Sequence, residues 1–234
     1  PPLFSLGYHQ CRWNYNDEKD LKEVNDKFDE NEIPLDVLWL DIEHTEEKKY
    51  FTWDKEKFPD PKGMIEYISS KGRKLVNIVD PHIKKDKRYA QYMDANKQKL
   101  FVKDSNNKND YVGNCWPGDS KYIDFVNPKA REWWSEQFAL EKYEATTTDV
   151  HIWNDMNEPS VFSGPEVTMH KDAVHDGGFE HREVHNLYGF YQHSATFDGL
   201  KKRGEGNTRP FVLTRSFFAG SQRSAAVWTG DNTA

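Results

Sequence analysis

The segment Asp149-Val150-His151-Ile152-Trp153-Asn154-Asp155-Met156-Asn157-Glu158-Pro159 decides the fold. Val150, Ile152 and Trp153 make a short apolar run that reads as a strand, and the chain then opens abruptly into Asp155, Asn157 and Glu158 before Pro159 stops regular structure. A strand that delivers carboxylates at its exit is the arrangement of open α/β sheets and α/β barrels, where loops assemble a pocket over the carboxyl ends of the strands.

The same pattern recurs on both sides of this segment. Upstream, Leu75–Val79 is an apolar strand ending in Asp80-Pro81-His82, and Leu35–Leu40 delivers Asp41 and Glu43. Leu3–Tyr8 reads as a first strand leading to His9 and Gln10. Downstream, Phe211–Thr214 ends in Arg215, and Ala225–Trp228 exits into Gly230-Asp231-Asn232. Helical patterns separate these strands. Leu21, Val24 and Phe28 recur at helical spacing after Asp17; Met64, Ile65 and Ile68 follow Asp60-Pro61; Ala130, Trp133, Trp134 and Phe138 follow the capping pair Asn127-Pro128; and Val184, Leu187, Tyr188, Tyr191 and Ala195 lie on a helix from about Glu180. Lys84–Lys99 is polar and partly helical in pattern. Residues 51–58 read as an aromatic loop, 100–127 as a long loop excursion and 160–179 as a second loop.

Six strands alternating with helices or crossovers imply a parallel sheet, because each crossover returns the chain to the same end, so all the exits share one face. A doubly wound sheet meets the same pattern. Its nucleotide-binding versions want a Gly-rich first turn, however, and Gly204-Glu205-Gly206 follows a helix instead. The expected fold is an α/β barrel, a (β/α)8 TIM barrel incomplete at about its first six β/α units, spanning 1–234 as one partial catalytic domain. At 234 residues the chain is close to the roughly 250 of a whole barrel.

Composition narrows the function classes. A net charge of −7 with interspersed Lys and Glu offers no basic stripe for nucleic acid. No stretch approaches the roughly 20 apolar residues of a spanning helix, so no membrane association is expected. The chain opens Pro1-Pro2 without a Met and reads as an excised piece. Cys11 and Cys115 define neither a disulfide framework nor a zinc pattern, and no Asn-x-Ser/Thr sequon is present. Eight Trp in a chain of mean hydropathy −0.95 fit a pocket lined with aromatic faces, as sugars require, or a Trp-rich core.

Asp41, Asp80, Asp155, Glu158 and Asp231 thus face one cleft with Arg215, Trp116, Trp153 and Trp228. Two carboxyl groups flanking a bond, one ionised and one protonated, are the minimum for cleaving an acetal. Arg215 could keep a neighbouring carboxylate ionised or serve as a plain ion-pair partner. Asp41 and Asp80 could instead cap the elements that follow them. A Ca²⁺ or Mg²⁺ site lacks EF-hand spacing. His181 and His185 stand at i and i+4, yet Glu183 is misplaced for a His-Glu-x-x-His zinc motif, so packing or surface roles fit them better and no metal or cofactor is expected. Neither is there a Gly-x-Ser-x-Gly elbow.

Four stretches, Leu38–Glu43, Trp153–Pro159, Arg215–Gly220 and Trp228–Asn232, resemble the family-31 glycoside hydrolases, in the expected order from Leu6 to the last residue. Trp153–Phe162 and His181–Gly189 are most similar to the neutral α-glucosidase branch. The resemblance implies a (β/α)8 barrel and a retaining α-glucosidase hydrolysing α-linked glucose from oligosaccharides or N-glycans. It assigns Asp155 as nucleophile and Asp231 as general acid/base, a choice between Asp155 and Glu158 that the residues alone leave open. Asp41, Trp116, Trp153, Met156 and Arg215 would bind substrate, with Glu158 and Asp80 supporting. An N-glycan-trimming member would work in the endoplasmic reticulum lumen with a regulatory β subunit. The last two strands, the flanking β domains and a pocket histidine of the family have no counterpart in these 234 residues. The chain alone is therefore expected to be poorly soluble and inactive. A carbohydrate-binding or degenerate relative is the alternative reading.

Overall fold

A computed structural model describes residues 1–232. Six parallel strands form one curled sheet in the order β1 (His9–Gln10), β2 (Val37–Leu40), β3 (Lys74–Ile78), β7 (Val150–Asn154), β8 (Val212–Thr214) and β9 (Ala226–Val227). Between them run α1 (Glu18–Glu30), α2 (Pro61–Ser69), α3 (Ala90–Gln98), α4 (Pro128–Glu136) and α5 (His181–Arg203). This is an incomplete α/β barrel, and the expected parallel topology holds.

Alternation along the strands feeds two apolar layers. Leu38, Leu40, Leu75, Val150 and Ile152 face the helices, whereas Val37, Trp39, Val76 and Phe211 cluster separately, with Trp153, Leu213 and Phe4 packed on them. The helices start where local chemistry allows. Asp17, Asp60 and Asn127 each accept a backbone N–H of the first turn (2.7, 3.0 and 2.9 Å), a contact worth about 1 kcal/mol, and Pro61 and Pro128 stand where no N–H is needed. α4 packs on α5 through Trp134, fully buried, whose indole N–H donates to Thr196 Oγ1 at 2.9 Å amid Phe51, Phe125 and Phe138.

Two expectations need correction. Leu3–Leu6 is a 3-10 turn rather than a strand, with the Ser5 hydroxyl donating to Pro2 O at 2.7 Å, and pairing starts only at His9. Tyr8 is tied first, its N–H given to Asp36 Oδ2 at 3.0 Å and its carbonyl accepting from Val37 N. Phe4 instead turns inward against His151 and Phe211, at ring separations of 4.7 and 6.0 Å. The 100–127 excursion is not irregular either. It holds β5 (Val112–Cys115) and β6 (Gly118–Tyr122), which join β4 (His82–Lys84) in an antiparallel sheet of order β4-β6-β5. Phe101, Val102, Tyr111, Tyr122 and Ile123 of this segment are core residues. Residues 51–58 are irregular, yet Phe51, Trp53 and Phe58 are buried in the same core.

Candidate active site

The register of the sheet brings the exits together. Ile78 is level with Trp153 and Asn154 with Thr214; Val79 N donates to Trp153 O at 2.8 Å, Asn154 Nδ2 to Val79 O at 2.9 Å, and Arg215 N to Asn154 O at 3.1 Å. Asp41, Asp155 and Arg215 thus leave β2, β7 and β8 directly at the carboxyl edge, with Asp80 two positions beyond β3.

Arg215 is the hub. Its Nε and Nη2 donate to Glu158 Oε1 and Oε2 at 2.8 and 3.0 Å, a two-pronged pairing only a guanidinium can make. Nε also lies 3.1 Å from Asp155 Oδ1, Nη1 lies 3.5 Å from Asp231 Oδ2, and Nη2 lies 3.1 Å from Met156 Sδ. Burial opposes the guanidinium's charge, but Glu158 and Asp155 outweigh it and hold Arg215 above its ordinary value. Both readings of Arg215 therefore describe the same contacts.

Asp155 is buried and its carboxyl is pushed up to about 7: burial raises it most, Arg215 and the Met156 N–H pull it back, and Glu158 and Asp41 add to the rise. Asp231 is different, with its side chain 72% exposed on a residue of φ 60. Asp41 accepts Ile42 N–H at 2.6 Å, the capping role available to it, while still facing the cluster; burial raises its pKa, with Glu43 and Asp231 contributing. Asp80 caps nothing. It is fully buried beneath the exits, accepts from Tyr50 Oη, and has its pKa raised well above the carboxylate range by burial and then by Asp155. Tyr50 Oη also lies 2.9 Å from His82 Nε2.

The aromatic residues divide. Trp153 sits between Trp39 and Trp228, at ring separations of 5.9 and 5.6 Å, inside the curled sheet. Trp116 is not in the Arg215 cluster; it stands half-exposed at the rim, edge-on to Phe162 at 4.9 Å, beside an open groove of about 410 Å³ shared with Glu43, Thr45, Glu47 and Lys84. Met156 has φ 58, a left-handed conformation costing a side chain about 1–3 kcal/mol, and it turns Asn157 inward. Asn157 was not singled out by sequence, although it belongs to the segment that decides the fold. Its Nδ2 donates to Thr214 Oγ1 at 2.8 Å and its Oδ1 accepts from Ser216 N at 2.9 Å, which locks the exits of β7 and β8 together around Arg215. Tyr50 and Phe162 were also missed; nothing in their local spacing marks them. Among the described residues, no group of three or more His, Cys, Asp or Glu is arranged to hold a metal ion.

The whole chain, residues 1–234, matches the model of the glycosyl hydrolases family 31 TIM-barrel domain. The chain belongs to glycoside hydrolase family 31. It is 63% identical to mouse neutral alpha-glucosidase C and 60% identical to pig neutral alpha-glucosidase AB, each over the full chain and about a quarter of the relative (26% and 25%). Solved structures agree. The ER glucosidase II heterodimer of catalytic subunit and regulatory-subunit binding domain superposes with TM-score 0.95 at 56% identity, over 99% of this chain and 25% of that one. A Flavobacterium johnsoniae dextranase of the family superposes at 0.88 and 31%, over 99% and 28%. Family 31 membership thus rests on a match that spans the whole chain, the strand exits included.

Proposed function

We propose that the longer protein carrying this chain is a retaining α-glucosidase, with Asp155 as nucleophile and Asp231 as general acid/base. The observation that carries this reading is Arg215, one guanidinium in contact with Asp155, Glu158 and Asp231 at the carboxyl end of a family 31 half-barrel. Retaining cleavage needs carboxyl groups about 5–5.5 Å apart, one attacking the anomeric carbon while the other protonates the leaving oxygen. Asp155 is buried beside Arg215, which draws it toward its ionised form. Asp231 stays exposed, where a leaving group and then water can reach it; in the second step it takes the water's proton.

Asp41 would accept from sugar hydroxyls, Trp153 and Met156 would line the glucose site, and Trp116 with Phe162 would offer aromatic faces at the entrance. Asp80 and Glu158 support these groups from below and beside. Glucosidase II neighbours solved with an α3-linked glucose disaccharide support an α-glucosyl substrate, of the kind found on glucosylated N-glycans. The same neighbours support a setting in the endoplasmic reticulum lumen and a regulatory β-subunit partner. The test is labelling of the full-length protein with 5-fluoro-α-glucosyl fluoride, followed by peptide mass mapping. An adduct on Asp155 is expected; sugar binding with no adduct there would favour the binding-only alternative.

A further inference from the structure

Away from the carboxylate cluster, three histidines and one aspartate form a continuous hydrogen-bonded run. His175 Nδ1 lies 2.7 Å from Asp124 Oδ1, His175 Nε2 lies 2.9 Å from His181 Nδ1, and His181 Nε2 lies 2.7 Å from His185 Nδ1. Asp124, His175 and His181 are buried and His185 is half-buried at the outer end. Asp124 also accepts N–H groups from Asp176 at 2.7 Å and Val126 at 3.2 Å, so it acts as a carboxylate acceptor. A carboxylate cannot donate, so His175 carries its proton on Nδ1. His175 Nε2 then accepts from His181 Nδ1–H, and His181 Nε2 accepts from His185 Nδ1–H. The run therefore ends in a lone pair on His185 Nε2.

That end lies next to the site. His181, His185 and Gly189 follow one another at i, i+4 and i+8 on one face of α5. Gly189 touches the exits of β7 and β8 so closely that a Cβ there would come within 2.7 Å of both Asn157 O and Ser216 Cβ. One turn earlier, His185 is in the field of Glu158 and Glu166, which favour its charged form, and of Lys171, which opposes it. The other charges at this helix end are engaged elsewhere: Arg182 pairs with Glu180 at 2.7 Å, and Glu183 accepts Glu180 N–H at 2.8 Å.

We propose that His185 is a positioning residue whose proton-accepting nitrogen is set by Asp124 through His175 and His181, and whose charge reaches Asp155 through Glu158 and Arg215. A proton added at His185 Nε2 leaves all three hydrogen bonds intact, so the run can charge at its outer end without breaking. Burial holds the middle ring, His181, down to about 3 and also lowers His185, so these two rings stay neutral until the pH falls. The cation then formed beside Glu158 favours ionised Asp155 at lower pH.

In the full-length protein the test has two arms. Diethylpyrocarbonate attacks an unprotonated imidazole nitrogen, so His185 should be carbethoxylated readily in the wild type. Asp124→Asn presents an amide N–H to His175 Nδ1, which reverses every donor and acceptor and places the proton on His185 Nε2; modification of His185 at neutral pH should fall about fivefold or more. In the second arm, Asp124→Asn and His185→Gln should each raise the acid-limb midpoint of kcat/KM by about half a pH unit. Equal carbethoxylation rates in wild type and Asp124→Asn, or an unmoved acid limb in His185→Gln, would overturn the proposal. Only the second arm rests on the glucosidase reading. The His185→Gln substitution, at the half-buried outer end of the run, keeps the test open should Asp124→Asn not fold.

Discussion

As the proposed nucleophile, Asp155 meets two opposed demands: a nucleophile must be ionised, and burial resists ionisation. Its carboxyl titrates at about 7 in the folded chain against an ordinary value of 3.8. A pKa raised by folding contributes stability below the unfolded value and loses it as pH rises through the folded one. The part of the stability that Asp155 supplies should therefore be lost between about pH 4 and pH 7, by a few kcal/mol in all. Asp155→Asn removes that titration. Its melting temperature should match the wild type near pH 4 and exceed it near pH 8, while kcat/KM of the full-length protein falls about 10⁴-fold or more. Thermal melts across pH check the first half, and a difference that does not vary with pH would refute it. Asp80 lies deeper: it is fully buried, and burial first and Asp155 second raise its pKa well above the carboxylate range. Which of Asp155 and Glu158 attacks was not legible from residue type, since both are carboxylates at one exit. The two differ in burial, Asp155 enclosed and Glu158 half-exposed and doubly paired with Arg215, which supports the proposed assignment of Asp155.

Elements meet at the site through few contacts, and two carry testable weight. Asn157 bridges β7 to the start of the connection after β8, so Asn157→Ala should leave Ser216 N without its acceptor and Thr214 Oγ1 without its donor, and cost about 1–3 kcal/mol in chemical denaturation. Gly189 lets α5 lie against Asn157 O; Gly189→Ala should cost about 1–3 kcal/mol by forcing the helix away, and an unchanged denaturation midpoint would contradict that packing. Much of this layer was legible beforehand. Asp17, Asp60-Pro61 and Asn127-Pro128 announce helix starts because capping is local chemistry, and Leu75–Val79 announces a strand because both its faces are covered. Leu3–Tyr8 misled for the converse reason. Its apolar residues serve a turn and a plug, and periodicity does not say what a Leu or Phe will pack on. The β5–β6 hairpin escaped notice because Asn, Gly and Asp interrupt its alternation, while the side chains that hold it, Tyr111 and Tyr122, find their partners across the chain.

At the scale of the molecule, β1 and β9 each pair on one side among the described residues, and an apolar hollow of about 620 Å³ lies between Pro1, Leu6, Phe197, Phe211 and Ala226. Unpaired strand edges beside apolar surface promote association. Residues 1–234 expressed alone should sediment as a mixture of oligomers, and a single monomeric boundary would show that these edges are harmless. Position on one face of the sheet was legible because alternation of strands and helices dictates it. What alternation could not supply was the division of labour there: Trp116 went to the rim, Asp80 beneath the exits, and Arg215 to the centre. The last has a consequence for how the protein is made. Asp41, Asp80, Asp155 and Glu158 all precede Arg215 in the chain. A nascent polypeptide leaving the ribosome amino end first exposes four acids of the site before Arg215, the guanidinium that pairs with Asp155 and Glu158, exists. The pocket's charge is thus balanced late in synthesis, only when β8 has emerged and docked.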